Sequence, residues 1–326
     1  MKNALAAASA GVLAFIGLAG TAQAAWPERA VTIVVPWSAG GGTDATARTL
    51  AQKLEERFGQ PFNVINRTGG GGLVGHITIA NAPPDGYTLG VITIETTMYK
   101  AQGIPGAEPE DFTLIGRFNA DPVGINVRAD APYETAGELI EAIKADPGAI
   151  KASGANRGGL SHLAWAGLLN RLGIDPDASP WVASDGSAPA MQQLAAGAID
   201  VVSTAPAEAR ALVEAGEAKT LALLSGERSE VYPDLKTTDE IFGIDWSPLP
   251  FRGLAGPAGL PEDVTMTLSD ALAEITADAE FRDFMASRGF SVAYQDSPTF
   301  TETVMASRTG LVEAMKAVGM ATDDTQ

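Results

Sequence analysis

Val31-Thr-Ile-Val-Val-Pro-Trp-Ser-Ala-Gly-Gly-Gly-Thr-Asp44 decides the fold. A β-branched run ends in three glycines. It then meets Ala47, Leu50, Ala51, Leu54 and Phe58, which keep helical spacing. Thr43 is placed to cap that helix, and Gly59 and Pro61 stop it. The pattern repeats at once. Phe62–Asn66 reads as a strand, Arg67-Thr-Gly-Gly-Gly-Gly-Leu-Val-Gly75 as a second glycine turn, and a short helix follows to about Ala82. A strand that ends in glycines and feeds a helix presents bare N–H groups at a helix N-terminus, which suits carboxylate or phosphate. Two such turns side by side suggest a small anionic ligand, although each alone is equally well a tight βα turn.

Working outward, the alternation of strand and helix continues. Pro83-Pro-Asp-Gly86 is a turn, and Tyr87–Ile94, Phe112–Phe118 and Val123–Val127 read as strands. Thr135-Ala-Gly-Glu138 is a capping box for a helix carrying Leu139, Ile140 and Ile143. Leu160–Leu172 is helical, and Ser187 resembles an N-cap for a helix to Ala196. Ile199–Ser203, Lys219–Leu224 and Leu249–Ala255 are strands. Pro261–Ile275, Ala279–Ser287 and Thr299 to about Val318 are helices, and Thr322–Gln326 is a polar tail. The expected class is α/β, with mostly parallel sheets flanked by helices.

The first residues stand apart. Lys2 is the only charge before Glu28, Ala4–Gly20 is uncharged and rich in alanine and leucine, and Ala22-Gln-Ala24 is a small-x-small site. This is the layout of a signal peptide cleaved after Ala24. A membrane anchor fits less well, because the run falls short of about 20 strongly apolar residues. The remaining Ala25–Gln326 exceeds the roughly 250–300 residues at which one core stops growing, so two lobes are expected. Cysteine is absent. Disulfides, thiolate metal sites and a lipid-anchored cysteine are therefore excluded, and secretion without disulfides points to a bacterial periplasm. Forty acidic residues against 22 basic ones give a net charge of −18. Nucleic acid and anionic membrane surfaces are thus poor partners. An anionic ligand would have to be held by local dipoles, which screening over about 8 Å permits.

Chemical motifs are sparse. Gly70, Gly72 and Gly75 match a dinucleotide-type G-x-G-x-x-G with Glu95 downstream. Export and the short, proline-cut helix argue against that reading. No G-x-x-x-x-G-K, H-E-x-x-H or G-x-S-x-G occurs, and neither metal nor cofactor is expected. The two histidines are His76, which either orients the second loop or lies on the surface, and His162, early in a helix and read as a satisfied core residue. Lys151-Ala-Ser-Gly-Ala-Asn-Arg-Gly-Gly159 is a third glycine turn before a helix. There Arg157 offers a forked cation, unless it is a solvated loop arginine. Ser184-Asp-Gly-Ser187 is a fourth. Together the four turns fit one cleft lined from both lobes.

These residues resemble a known family. Val34-Val-Pro-Trp-Ser-Ala-Gly-Gly-Gly-Thr-Asp-Ala-Thr-Ala-Arg48, Gly59-Gln-Pro-Phe-Asn-Val-Ile-Asn-Arg-Thr-Gly-Gly-Gly72 and Pro84-Asp-Gly-Tyr-Thr-Leu89 carry the likeness. Lys151-Ala-Ser-Gly154, Gly186-Ser-Ala-Pro-Ala190 with Gly197-Ala-Ile-Asp200, and Arg252-Gly-Leu-Ala-Gly-Pro-Ala-Gly-Leu-Pro261 extend it over the rest of the chain. The chain resembles the periplasmic receptors of tripartite tricarboxylate transporters, of the TctC/Bug kind. It departs from the commoner pattern at Asn156, where glycine is usual, and at Phe251, where tryptophan often precedes Arg-Gly.

The resemblance implies a two-lobed periplasmic binding protein of type II, a Venus flytrap. Lobe 1 would comprise residues 25–122 and 250–326, and lobe 2 residues 123–249. It also implies a monomeric receptor that closes on a small organic anion (a di- or tricarboxylate, an aromatic acid or, in some members, an amino acid) and delivers it to membrane permease subunits. Ligand contacts are then expected from Ser38, Ala39, Gly40, Gly41, Gly42, Thr43 and Asp44, and from Thr68, Gly69, Gly70, Gly71 and Gly72. Ser153, Gly154, Ala155, Asn156, Arg157 and Gly158, with Thr93, Ser187 and Ser203, would read the rest of the ligand. A receptor needs no catalytic group. The rival is an exported hydrolase using His162 with Ser153 or Ser161.

Overall fold

The computed structural model describes residues 26–322. The export signal read at residues 1–24 and the end of the C-terminal tail lie outside the described residues. Along the chain run β1 (Val31–Val35), α1 (Gly42–Phe58), β2 (Phe62–Asn66), α2 (Leu73–Ala80), β3 (Thr88–Thr93), β4 (Phe112–Ala120) and β5 (Val123–Arg128). Next come α3 (Ala136–Ala145), β6 (Ala152–Ser153), α4 (Leu160–Arg171), α5 (Ser187–Ala195), β7 (Val201–Thr204), α6 (Pro206–Glu214), β8 (Ala218–Leu224) and α7 (Thr238–Phe242). β9 (Phe251–Pro257), α8 (Glu262–Ala277), α9 (Ala279–Ser287), β10 (Gln295–Asp296) and α10 (Ser297–Ala317) complete it.

Two sheets organise these elements. The larger has the order β10-β4-β9-β3-β1-β2 and the smaller β6-β7-β5-β8. β1 is an inner strand because four of its five residues are apolar and β-branched, and those four are buried. β1 pairs in parallel with β2 and with β3, through crossovers carrying α1 and α2. β6 and β7 are also parallel, with α4 and α5 between them.

The expectation of mostly parallel sheets is corrected here, because both sheets are mixed. β9 enters antiparallel between β3 and β4, and β5 lies antiparallel between β7 and β8. Parallel pairing needs a helical crossover between neighbours. β9 instead arrives from the smaller sheet, a route that local alternation of β and α does not reveal.

Helix starts show two further corrections. Gly41, not Thr43, is the N-cap of α1, and Gly186, not Ser187, that of α5. Thr135 does cap α3, accepting the Glu138 N–H at 3.2 Å. Glu138 returns its carboxylate to the Glu134 N–H rather than to that of Thr135.

Apolar faces of α1, α8 and α9 bury Leu50, Leu54, Leu268, Leu272 and Phe281 against one side of the larger sheet. The opposite side shares a continuous core with the smaller lobe through Phe251, Phe300, Leu163 and Trp165. α10 lies against β4 of one sheet and α4 of the other lobe. Gly75, the last glycine of the dinucleotide-like match, has a packing reason. A Cβ there would meet Pro36 Cα at 2.5 Å, so glycine lets α2 press on the first loop.

Candidate functional site

The N-termini of α1, α4 and α5 meet between the two sheets, around a narrow cavity of about 80 Å³. One wall is the first glycine turn, with Trp37, Ser38, Gly41, Gly42 and Thr43, together with Thr93, Glu95, Phe251 and Arg252. The facing wall brings Gly154, Ala155, Leu160, Ser161, Ser187, Thr204 and Glu208 from the smaller lobe. A wider recess of about 600 Å³ adjoins it, lined by Ser38, Ala39, Thr68, Asn156, Ser184 and Asp185.

The structure therefore brings together part of the expected set. Ser38, Gly41, Gly42, Thr43, Thr93, Gly154, Ala155 and Ser187 line the inner cavity, and Ala39, Thr68 and Asn156 line the recess. The rest stand behind. Asp44 braces its own loop, accepting from Gly40 N–H at 3.0 Å and Asn66 Nδ2 at 2.9 Å, and it pairs with Arg48. Ser153 is buried with its hydroxyl donated to Val182 O, and Ser203 is buried in β7. Gly158 accepts at its carbonyl from Gln102. Arg157 is exposed and lines neither space.

Gly69, Gly70, Gly71 and Gly72 all take positive φ, between 58° and 121°, which explains four glycines in a row. They do not line the inner cavity. A Cβ on Gly71 would meet Asn156 Nδ2 at 2.3 Å, so this loop meets the third glycine turn directly. A buried chain fixes the loop from below. His76 Nδ1 lies 2.9 Å from the Tyr99 hydroxyl, which donates to Gly71 O, while His76 Nε2 accepts the Thr93 N–H at 3.3 Å. That pattern places the proton on Nδ1, and burial lowers the His76 pKa to about 3, so the ring stays neutral. His76 is fully buried, which excludes the surface reading.

The charged groups of the cleft are the main surprise. Arg252 on β9 is buried and fully engaged: Nε donates to Thr43 Oγ1 at 3.1 Å, Nη1 to Asn119 and Asp121, and Nη2 to Glu208 at 3.0 Å. Glu208, at the start of α6, reaches across the cleft and accepts the Gly42 N–H of α1 at 3.1 Å. Its other oxygen accepts from Thr204 Oγ1 and the Ala205 N–H. Glu95, just after β3, reaches the other way. Its Oε1 accepts the Leu160 N–H of α4 at 3.4 Å, and its Oε2 accepts from Thr93 Oγ1 at 2.6 Å. Burial raises the pKa of both carboxyls, opposed at Glu208 by Arg252 and at Glu95 chiefly by the Thr93 hydroxyl. Thus two helix N-termini that the sequence offered to a ligand each hold a carboxylate of the protein itself.

The model of the tripartite tricarboxylate transporter family receptor matches residues 46–314. The chain belongs to this family. Among solved structures, the periplasmic binding protein BugD is 30% identical, with a TM-score of 0.83 over 91% of this chain and 99% of that one. A Rhodopseudomonas palustris protein with adipate is 26% identical (TM-score 0.85, covering 91% and 99%). Another from the same organism, with bound malate, is 25% identical (TM-score 0.79, covering 89% and 99%). The two-lobed fold expected from the sequence is that of these structures.

Within a receptor of this family the hydrolase geometry does not form. His162 stacks on Trp181 with ring centroids 4.7 Å apart, and its Nδ1 accepts the Gly158 N–H at 3.0 Å. Burial, then the nearby Arg157 charge, lowers its pKa to about 3. Among the described residues neither Ser153 nor Ser161 hydrogen-bonds to it, so the histidine–serine pair of the hydrolase reading is not formed. No described helix is long and apolar enough to cross a membrane, and no described cluster could hold a metal ion.

The residues missed by sequence reasoning are Arg252, Glu208 and, as a cavity residue, Glu95. A weak signal existed for Glu208, which stands three residues after Ala205 with Pro206 at the first helical position, the place of a capping glutamate. Nothing local tells that its carboxylate also serves another helix.

Proposed function

We propose that this receptor captures a small organic carboxylate between its lobes and delivers it to membrane permease subunits. The observation that carries the proposal is the cavity lined from both sheets, onto which three helix N-termini converge. A ligand there touches both lobes, so it favours the closed arrangement by as much as it prefers that state. Adipate and malate in related receptors give the chemical class. The lobes divide at residues 25–122 with 250–326, and 123–249. Export through residues 1–24, a periplasmic monomer and the absence of turnover complete the reading.

The contact set narrows to Ser38, Gly41, Gly42, Thr43, Thr93, Gly154, Ala155 and Ser187, while the second glycine loop and Asp44 hold these in place. Trp37 borders the cavity and donates to Thr93 Oγ1 at 3.3 Å, which makes it an internal reporter. Titrating the protein with adipate, malate and succinate while following tryptophan emission should give a saturable change, lost in Trp37→Phe. The acid should be recovered unchanged. Turnover of the acid, or no response to any carboxylate in the native protein, would overturn the proposal.

A further inference from the structure

One helix of the smaller lobe is bonded to the larger lobe along its first turn. α6 packs on β5, β8 and α5, so it belongs to the smaller sheet. Yet Ala207 joins the apolar core beneath the larger sheet. Glu208, the next residue, accepts from the Gly42 N–H at 3.1 Å and from Arg252 Nη2 at 3.0 Å. Arg210 donates from Nη1 to the Ser287 carbonyl at the C-terminal end of α9. Ala207 and Arg210 are three residues apart on a helix, so they share one face, and that face is turned to α9.

The segment after β8 adds a second hold at the same place. A Cβ on Gly289, just past α9, would collide with the Tyr232 hydroxyl and lie 3.4 Å from Ala207 Cα. Gly289 has a φ of +83°. Glycine therefore serves both the left-handed turn and the close approach of the other lobe. Elsewhere in the cleft, Gln102 Nε2 donates to Gly158 O at 3.0 Å, and Glu95 accepts the Leu160 N–H at 3.4 Å.

All of these contacts join the two halves with groups of the chain itself. Each exists only in the closed arrangement, so each shifts the balance between open and closed in the same direction. Water replaces the hydrogen bonds on opening, which makes each one modest; several acting together are not.

We propose that α6 is a latch that holds the lobes closed with no ligand between them, so that the receptor rests closed and opens transiently to admit the acid. This goes beyond the carboxylate-receptor reading, which needs closure only once the acid is bound. Capture then waits on the release of Ala207, Glu208 and Arg210 from the larger lobe.

The test is a distance across the cleft. The chain has no cysteine, so Asn63→Cys on β2 and Gln192→Cys on α5, both exposed, accept a clean pair of spin labels. Pulsed dipolar spectroscopy on the labelled protein without acid should give the short separation of the closed structure, and saturating malate or adipate should not shorten it. Glu208→Gln should lower the closed-to-open ratio about tenfold, the scale of one charged hydrogen bond, and Arg210→Ala should lower it less. The two together should bring up a longer distance without acid. Arg210 does not line the cavity, so its effect is separate from any contact with the acid. The native measurement needs no variant, and Arg210→Ala keeps the buried Glu208–Arg252 pair, so a folding defect in Glu208→Gln leaves both decisive. A longer distance in the native protein without acid overturns the proposal. So does a short distance kept by every folded variant. If the distance behaves as expected and neither acid binds, the carboxylate reading falls and the latch stands.

Discussion

The N-termini of α1 and α4 read alike in the sequence, each a glycine turn before an apolar helix, yet the folded protein treats them differently. At α1 the Gly42 N–H meets Glu208, a carboxylate neutralised by Arg252 and held by donors from both lobes. At α4 the Leu160 N–H meets Glu95 at the longer 3.4 Å, and the second oxygen of Glu95 accepts from the Thr93 hydroxyl at 2.6 Å. One terminus is closed by a carboxylate in an ion-pair network, and the other by a carboxylate held by a hydroxyl and a backbone N–H. The lesson is that an amide cradle is defined as much by what already fills it as by the glycines that form it.

The sharpest way to break this contrast is Arg252→Ala. It strands Glu208 and Asp121 as buried carboxylates, and urea unfolding should show a loss of about 3–5 kcal/mol. A loss under about 1 kcal/mol, typical of an exposed pair, would mean the network is not the lock described. Glu208→Gln should cost less, about 1–3 kcal/mol, because the amide keeps some hydrogen bonds while Arg252 loses a charged partner. Glu95→Gln should cost under about 1 kcal/mol or stabilise, since burial disfavours the charge and the amide oxygen can still accept from the Thr93 hydroxyl. Equal losses for the two glutamine variants would erase the difference between the termini.

Titration adds a fourth test. His76 and His162 fall from 6.5 to about 3 on folding, so below 6.5 the unfolded chain binds more protons than the native one. Their contribution is present above 6.5 and is lost as pH falls toward 3. Glu95 and Glu208 are raised, so theirs is complete below the unfolded value of 4.5 and is lost as pH rises through the folded values. Melting temperature should therefore drop on the acid side of 6.5. Glu95→Gln should remove part of the decline at higher pH and leave the acid limb unchanged. An acid limb that moves with Glu95→Gln would contradict the assignment to the histidines.

Much of this was legible in the chain. The Val31–Asp44 unit, its helix and the return strand follow from β-branched runs, helical spacing and glycine stops, all local quantities. Trp37, Ser38, Gly41, Gly42 and Thr43 border the cavity because the first loop is a strand end facing the cleft. What stayed hidden depends on distance along the chain. Glu208 and Gly42 are 166 residues apart, and Arg252 and Thr43 are 209 apart. No periodicity encodes such meetings. The antiparallel insertion of β9 was hidden for the same reason. The second loop shows a further limit. Its glycines are required by backbone conformation and by the approach of Asn156, so glycine content by itself does not tell a ligand cradle from a steric need.

α10 touches β4 and α4 at once, and it is the last helix among the described residues. It therefore shares with the buried core and the Glu208–Arg252 network the work of holding the two sheets at one angle. Trimming it from its far end should loosen that angle while each sheet keeps its own strand pairing, as a brace removed from between two standing walls.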